Sequence, residues 1–148
     1  MKRILIVSMI LLLLGTTFLG CGISITYESE KREINSMLNA LQIGYLYENP
    51  YEVLGCYADP FIKDNIEYSN GAYYTVLNLM FSPAGQYYTS YLYLNRDIVV
   101  TSSSRATVYC INNYTSGGVP RSVDVRFSLY KSWGEWLITE ERTLSYNY

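Results

Sequence analysis

The sequence predicts an α+β fold in which three N-terminal helices pack on the inner face of a curved antiparallel sheet. Three observations carry this. Apolar residues recur at helical spacing in three segments of the first half, the second half alternates apolar and polar residues with a period of two, and glycine-containing turns join the last three alternating segments. Helices that precede strands, rather than alternate with them, belong on one face of an antiparallel sheet.

Between Glu30 and Tyr47 the residues Ile34, Met37, Leu38, Leu41, Tyr45 and Leu46 share one helical stripe, and Glu30 and Glu33 stand near its start, where the helix dipole favours acids. Asn49-Pro50-Tyr51-Glu52 opens a second, short helix that runs to about Tyr57, with Asn49 as N-cap, proline in the first helical position and Glu52 completing a capping box. Asp59-Pro60 ends it, and the polar run Lys63 to Ser69 reads as a loop. From Asn70 the positions Tyr73, Val76, Leu77, Met80 and Phe81 set a third helix, which Ser82-Pro83-Ala84-Gly85 stops. Gln86 to Asn95 is a strand with Tyr87, Thr89, Tyr91 and Tyr93 on one side and Tyr88, Ser90, Leu92 and Leu94 on the other. These tyrosines suit a half-exposed surface. Ile98 to Thr101 adds a short strand.

Ser104 to Thr143 supplies the centre of the sheet. Ala106, Val108 and Cys110 face one way, as do Val123, Val125, Phe127 and Leu129, and then Trp136 and Ile138. Ser116-Gly117-Gly118 and Ser132-Trp133-Gly134 mark the two turns. On this parity Trp136 and Ile138 meet the first helix beside Leu38 and Leu41. Arg105, Asp124, Arg126 and Glu141 project from the outer face as solvated cross-strand pairs.

With 148 residues, 49% hydrophobic and 16% charged, the chain has the balance of one folded domain. Its formal net charge is −2, and two of its basic residues, Lys2 and Arg3, lie in the N-terminal segment. That leaves no clustered Lys and Arg of the kind a nucleic-acid partner needs. Histidine is absent, which removes the commonest general base, the commonest zinc ligand and every Ser-His or Cys-His nucleophile pair. No metal-ligand cluster, glycine-rich phosphate loop or nucleophile elbow is present, so neither metal nor cofactor is expected.

Met1-Lys2-Arg3 followed by the apolar run Ile4 to Leu14 is a secretory signal. Phe18-Leu19-Gly20-Cys21 resembles the cleavage box of a bacterial lipoprotein, with Gly20 before the cysteine that becomes lipidated. The resemblance implies a signal peptide over residues 1–20, lipidation of Cys21, a tether over residues 21–28 and a folded domain over residues 29–148. It also implies a location at the cell membrane or outer membrane, with the domain facing the periplasm or exterior. An uncleaved anchor helix from Ile4 to about Ile25 is the alternative.

Leu54 to Phe61, Arg105-Ala-Thr-Val108 and Lys131-Ser-Trp-Gly-Glu-Trp-Leu-Ile138 are similar to stretches of the nuclear transport factor 2-like superfamily, which includes SnoaL-like cyclases and ketosteroid isomerase. The resemblance implies a cone-shaped, cystatin-like α+β fold with a pocket between helices and sheet. The superfamily's enzymes keep an Asp in that pocket, often with Tyr or His partners, and no such set carries over residue by residue. Asp59 beside Pro60 fits a turn better than a site.

With Cys21 assigned to lipid, Cys56 and Cys110 remain as an even pair in an oxidising compartment. A bridge between them would stabilise by about 4 kcal/mol, and two small buried thiols are the alternative. All 17 tyrosines lie beyond Cys21. Tyr45, Tyr57 and Tyr73, with Trp136, are the candidates for an aromatic pocket lining; the plainer reading makes them core. The expected function is a non-catalytic, lipid-anchored module that binds a small apolar or aromatic ligand or a protein partner, with a homodimer through the sheet among the options. The alternative is an isomerase or cyclase of the ketosteroid isomerase or SnoaL type, built on a carboxylate and tyrosine.

Overall fold

A computed structural model describes residues 27–82 and 88–147. The signal segment, Cys21, most of the tether, the alternative anchor helix, the Pro83-Ala84-Gly85 stop and Tyr87 lie outside the described residues. Helix α1 spans Glu28–Leu46, α2 Pro50–Leu54 and α3 Asn70–Met80. The strands are β1 (Tyr57–Lys63), β2 (Ile66–Tyr68), β3 (Tyr88–Ser102), β4 (Arg105–Ser116), β5 (Val119–Ser132) and β6 (Glu135–Asn147), in the spatial order β2-β1-β6-β5-β4-β3. Among the described residues no helix is long and apolar enough to cross a membrane.

The helices form for the reasons their sequences give. Asn49 Oδ1 accepts from the backbone N–H of Tyr51 and Glu52, and Ser69 Oγ caps α3 through Ala72 N–H. Gly44 lets α2 cross α1 closely, since a Cβ there would stand 2.9 Å from the Val53 side chain and backbone. Ile34, Leu38 and Leu41 of α1 are fully buried with Val108, Phe127 and Ile138 of the sheet in one core.

Three expectations about order and register are corrected. The short helix stops at Leu54, because Ile138 N–H bonds Cys56 O at 2.8 Å and draws the chain into the sheet. Tyr57 therefore opens a strand rather than closing a helix. The run read as a loop is a hairpin: Asp64 and Asn65, at φ of 48° and 69°, make the two-residue turn between β1 and β2. A hairpin thus separates the second helix from the third, and the sheet is mixed, since β1 pairs with β6 in parallel. Pro60, preceded by a cis peptide bond, sits where that pairing shifts register and no ladder N–H is needed.

The strand expected to end at Asn95 continues to Ser102, with a bulge between Leu94 and Asp97 and Asn95 at φ 51°. The bulge inverts the parity, so that Tyr91 and Tyr93 point inward before it and Ile98 and Val100 after it. Tyr91 and Tyr93 are thus buried rather than half-exposed. Arg96 in the bulge bonds Asn35, Asn39 and Gln42 and fastens β3 to α1. The turns at Gly117-Gly118 and Trp133-Gly134 have positive φ throughout, as a twist-matched two-residue hairpin requires.

Cys56 and Cys110 are free, buried thiols, so the bridge is not made. Cys56 stands at the head of β1, bonded across to Ile138 of β6, while Cys110 lies on β4; β6 and β5 stand between, so the two are separated by three strand spacings, about 14 Å, beyond the roughly 7 Å a disulfide spans. The Cys56 thiol instead faces the carbonyls of Glu52 and Met37 at 3.5 and 3.6 Å.

Candidate functional site

The described residues enclose a cavity of about 220 Å³ between α1, α3 and the concave face of the sheet. Its wall is largely aromatic, with Tyr45 from α1, Tyr73 from α3, Tyr68 from β2, and Tyr88, Tyr91 and Tyr114 from β3 and β4. Tyr45 stacks on Tyr91 with ring centroids 4.5 Å apart, and the edge of Tyr88 meets both rings. Such offset and edge-to-face contacts make a rigid wall. The Tyr45 and Tyr73 hydroxyls share a hydrogen bond of 2.9 Å.

One charged pair is set into this wall. Glu141 is only 5% exposed, and its Oε1 accepts from Lys63 Nζ at 2.5 Å while its Oε2 accepts from the Tyr57 hydroxyl. Glu141 reaches the cavity because β6 carries a bulge. Leu129 faces Ile138 but Ser128 faces Glu140, so Thr139 is the extra residue, its hydroxyl bonded to Ser128 O at 3.1 Å. The expectation that Glu141 projects from the outer face is thereby corrected; it is Glu140 that faces out, paired with Arg126 and Arg142. Lys63 comes from the last residue of β1, opposite Glu141 in register, and its ammonium also lies 5.8 Å from the Tyr73 ring centroid.

Burial draws the Lys63 ammonium down, but the charge and hydrogen bond of the adjacent Glu141, together with Tyr73 and Tyr91, outweigh it and hold the ammonium well above the ordinary lysine value. Burial pushes the Tyr45, Tyr57, Tyr73 and Tyr91 hydroxyls up, with the Glu141 charge adding to each. Tyr88 is pushed up to about 12, first by burial and then by Tyr114. The hydroxyls of Tyr45, Tyr57, Tyr73, Tyr88 and Tyr91 therefore keep their protons at neutral pH beside the Lys63 ammonium.

Tyr45 and Tyr73 line the cavity, while Tyr57 stands behind Glu141 and orients it. Trp136 lies elsewhere, in a groove with Glu33, Met37 and Cys56, where its indole N–H donates to Glu33 Oε2 at 3.1 Å and Lys131 sits over its ring. Asp59 is exposed and accepts from Asn70 N–H at the start of α3. Lys63, Asn112 and Glu141 were not anticipated. Asn112 had a readable signal, since it shares the inward parity of Ala106, Val108 and Cys110; Glu141 had none, because a bulge hides its direction.

No protein-family model and no curated protein matches the sequence. Solved structures do match in shape. A provisionally assigned scytalone dehydratase from Novosphingobium aromaticivorans superimposes with a TM-score of 0.65 at 16% identity, over 80% of this chain and 87% of that one. A nuclear transport factor 2-like protein of unknown function from Pseudomonas putida gives 0.67 at 12% identity, over 78% and 86%. A provisionally assigned dehydratase of the nuclear transport factor 2-like family from Streptomyces avermitilis gives 0.66 at 13% identity, over 80% and 96%. At such identities the likeness is one of fold, and the fold of this chain is that of nuclear transport factor 2-like proteins.

Proposed function

We propose that the chain is a lipid-anchored protein of the cell envelope whose domain binds a small aromatic molecule bearing an oxygen function. The observation that carries the binding reading is the Lys63–Glu141 pair, set in a cavity wall made mostly of tyrosine and aliphatic side chains. A buried ion pair stabilises a fold no better than apolar residues of equal volume, so its place beside an open cavity is best explained by a ligand. An apolar cavity of about 150 Å³ admits benzene, which makes about 220 Å³ room for one substituted ring. Lys63 has ammonium protons beyond the one given to Glu141 and offers them to a carbonyl or carboxylate.

A second reading, a proton-transferring isomerase or dehydratase, is favoured by Glu141 itself. In it the carboxylate removes a proton next to a carbonyl, the electron pair moves onto the carbonyl oxygen, and Lys63 stabilises the oxyanion. The fold neighbours described as dehydratases accord with it. Binding comes first because both Glu141 oxygens are already engaged. Proton NMR of acetophenone with the protein in heavy water separates the two: line broadening that Lys63→Met abolishes, without methyl deuteration, is the expected result. Methyl deuteration lost in Glu141→Gln installs the enzyme, and no broadening at all removes the binding reading.

Lipidation of Cys21 would hold the domain at the membrane, with a signal peptide over residues 1–20 and a tether to residue 28. The convex face of the sheet, where Leu92, Leu94, Val99, Tyr109 and Tyr130 are exposed, is where a second copy would pack.

A further inference from the structure

Among the described residues of the cavity wall, Asn112 alone carries a buried side-chain polar atom without a hydrogen-bond partner. It is 5% exposed and faces the cavity from β4, in register with Val123. Its Nδ2 donates to the Tyr91 hydroxyl at 3.0 Å, and Tyr91 is linked in turn to the Tyr93 hydroxyl at 3.3 Å. The amide is thus anchored at one end, and Oδ1 is buried without a partner. A buried acceptor left unmatched is costly, and native folds keep few of them. The cavity also holds a donor, the Lys63 ammonium, on β1 beside β6. β5 lies between β6 and β4, so donor and acceptor serve different atoms of a ligand.

We infer that Asn112 is a specificity residue of the cavity, and that the ligand it selects is a compact aromatic carbonyl compound with a hydroxyl or N–H group remote from the carbonyl. The hydroxyl donates to Asn112 Oδ1, the carbonyl oxygen accepts from Lys63, and the ring lies among Tyr45, Tyr73 and Tyr91. Tyrosine hydroxyls alone would not discriminate in this way, because each can donate or accept, whereas the amide oxygen only accepts. A site built to bond a hydroxyl rejects the analogue that lacks it far more strongly than an apolar site rejects an added methylene. The inference rests on the reading of the cavity as a ligand site, and the test below separates the two.

The experiment titrates the protein with 3- and 4-hydroxyacetophenone, 4-methoxyacetophenone and acetophenone by ligand-observed NMR. One hydroxy compound should bind at least ten-fold more tightly than the methoxy and unsubstituted compounds. Asn112→Leu should erase that preference and leave acetophenone within two-fold of the parent, while Asn112→Asp, which retains an acceptor, should keep it. Equal affinity for all four compounds overturns the role of Asn112 while sparing the ligand site. A preference that survives in Asn112→Leu does the same, and should Asn112→Leu not fold, Asn112→Ala stands in its place with the same two outcomes. Absence of binding by every compound overturns the ligand site and this inference together.

Discussion

Glu141 stands opposite Phe127 on the concave side of the sheet, one residue out of step with the alternation that Trp136 and Ile138 begin. The single inserted residue that causes this converts a strand position suited to solvent into the acid of a cavity. The consequences are measurable.

Removing one member of the pair should cost more than removing both. Glu141→Leu strands the Lys63 ammonium and the Tyr57 hydroxyl, and should destabilise by about 3 kcal/mol, the low end of the usual range because Lys63 keeps some contact with water. Glu141→Leu with Lys63→Met should recover most of that loss while abolishing ligand binding. Urea unfolding of the three proteins decides it. A double variant no more stable than Glu141→Leu would mean that the stranded charge is not the cause.

Alkali should unfold the protein steeply. The Lys63 ammonium is held above its ordinary value, so its contribution is complete below about pH 10.4 and is lost as pH rises through the raised value. Buried Tyr45, Tyr57, Tyr73 and Tyr91 act in the same sense: above about pH 10 the unfolded chain releases tyrosine protons that the folded chain keeps. Stability should fall by more than about 1.4 kcal/mol per pH unit there, the value for one group. Tyrosinate absorbance should appear partly in the folded protein and partly at the unfolding step. Unchanged stability between pH 9 and 12 would contradict the burial of these hydroxyls.

Burial pushes the Cys56 and Cys110 thiols up to about 12, so neither is a reactive thiolate near neutrality. Iodoacetamide at pH 8 should leave both unmodified in the folded protein and alkylate both Cys56 and Cys110 once urea is present. Intact mass without reductant should be that of the dithiol. Fast labelling without denaturant, or a mass two protons lower, would count against the arrangement.

A Cys21→Ala variant of the full chain should remain at precursor length and take up no fatty-acid probe in cells, whereas the parent is shortened and labelled. Equal labelling of the two would end the lipoprotein proposal.

The sequence discloses this fold where local chemistry and tertiary demand agree. Asn49 and Ser69 cap helices as such residues do, and the turns at Gly117-Gly118 and Trp133-Gly134 fall where the alternation breaks. It conceals what depends on pairing across the sheet. Asp64-Asn65 reads as a polar loop until β1 is seen to lie against β6, and only that placement brings Lys63 to Glu141. Period-two counting carries Arg126 and Asp124 correctly on β5, then fails on β6 after Thr139 and on β3 after Leu94, because each bulge shifts parity without leaving a residue type that announces it. Of the missed residues of the candidate site, Glu141 lies beyond the break on β6 and Lys63 beyond the shift in the β1–β6 pairing, while Asn112 keeps the plain alternation of β4 and was legible in it.

The two charges of the cavity come from parts of the molecule with unequal obligations. Glu141 belongs to a long strand with neighbours on both sides, whereas Lys63 ends a strand of seven residues whose outer neighbour, β2, has only three. Tyr57 and Phe61 at the start of β1 belong to the core, and the part of the β1–β2 hairpin beyond them is the exchangeable part. A different residue at position 63, or a longer turn at Asp64-Asn65, would change the cavity from ion-paired to acidic or neutral while the ribbon of β3 to β6 keeps its register. Within one scaffold, new ligand chemistry is reached most cheaply through the end of β1 from Ile62, the Asp64-Asn65 turn and β2, and libraries confined to that stretch are the economical route to retargeting this protein.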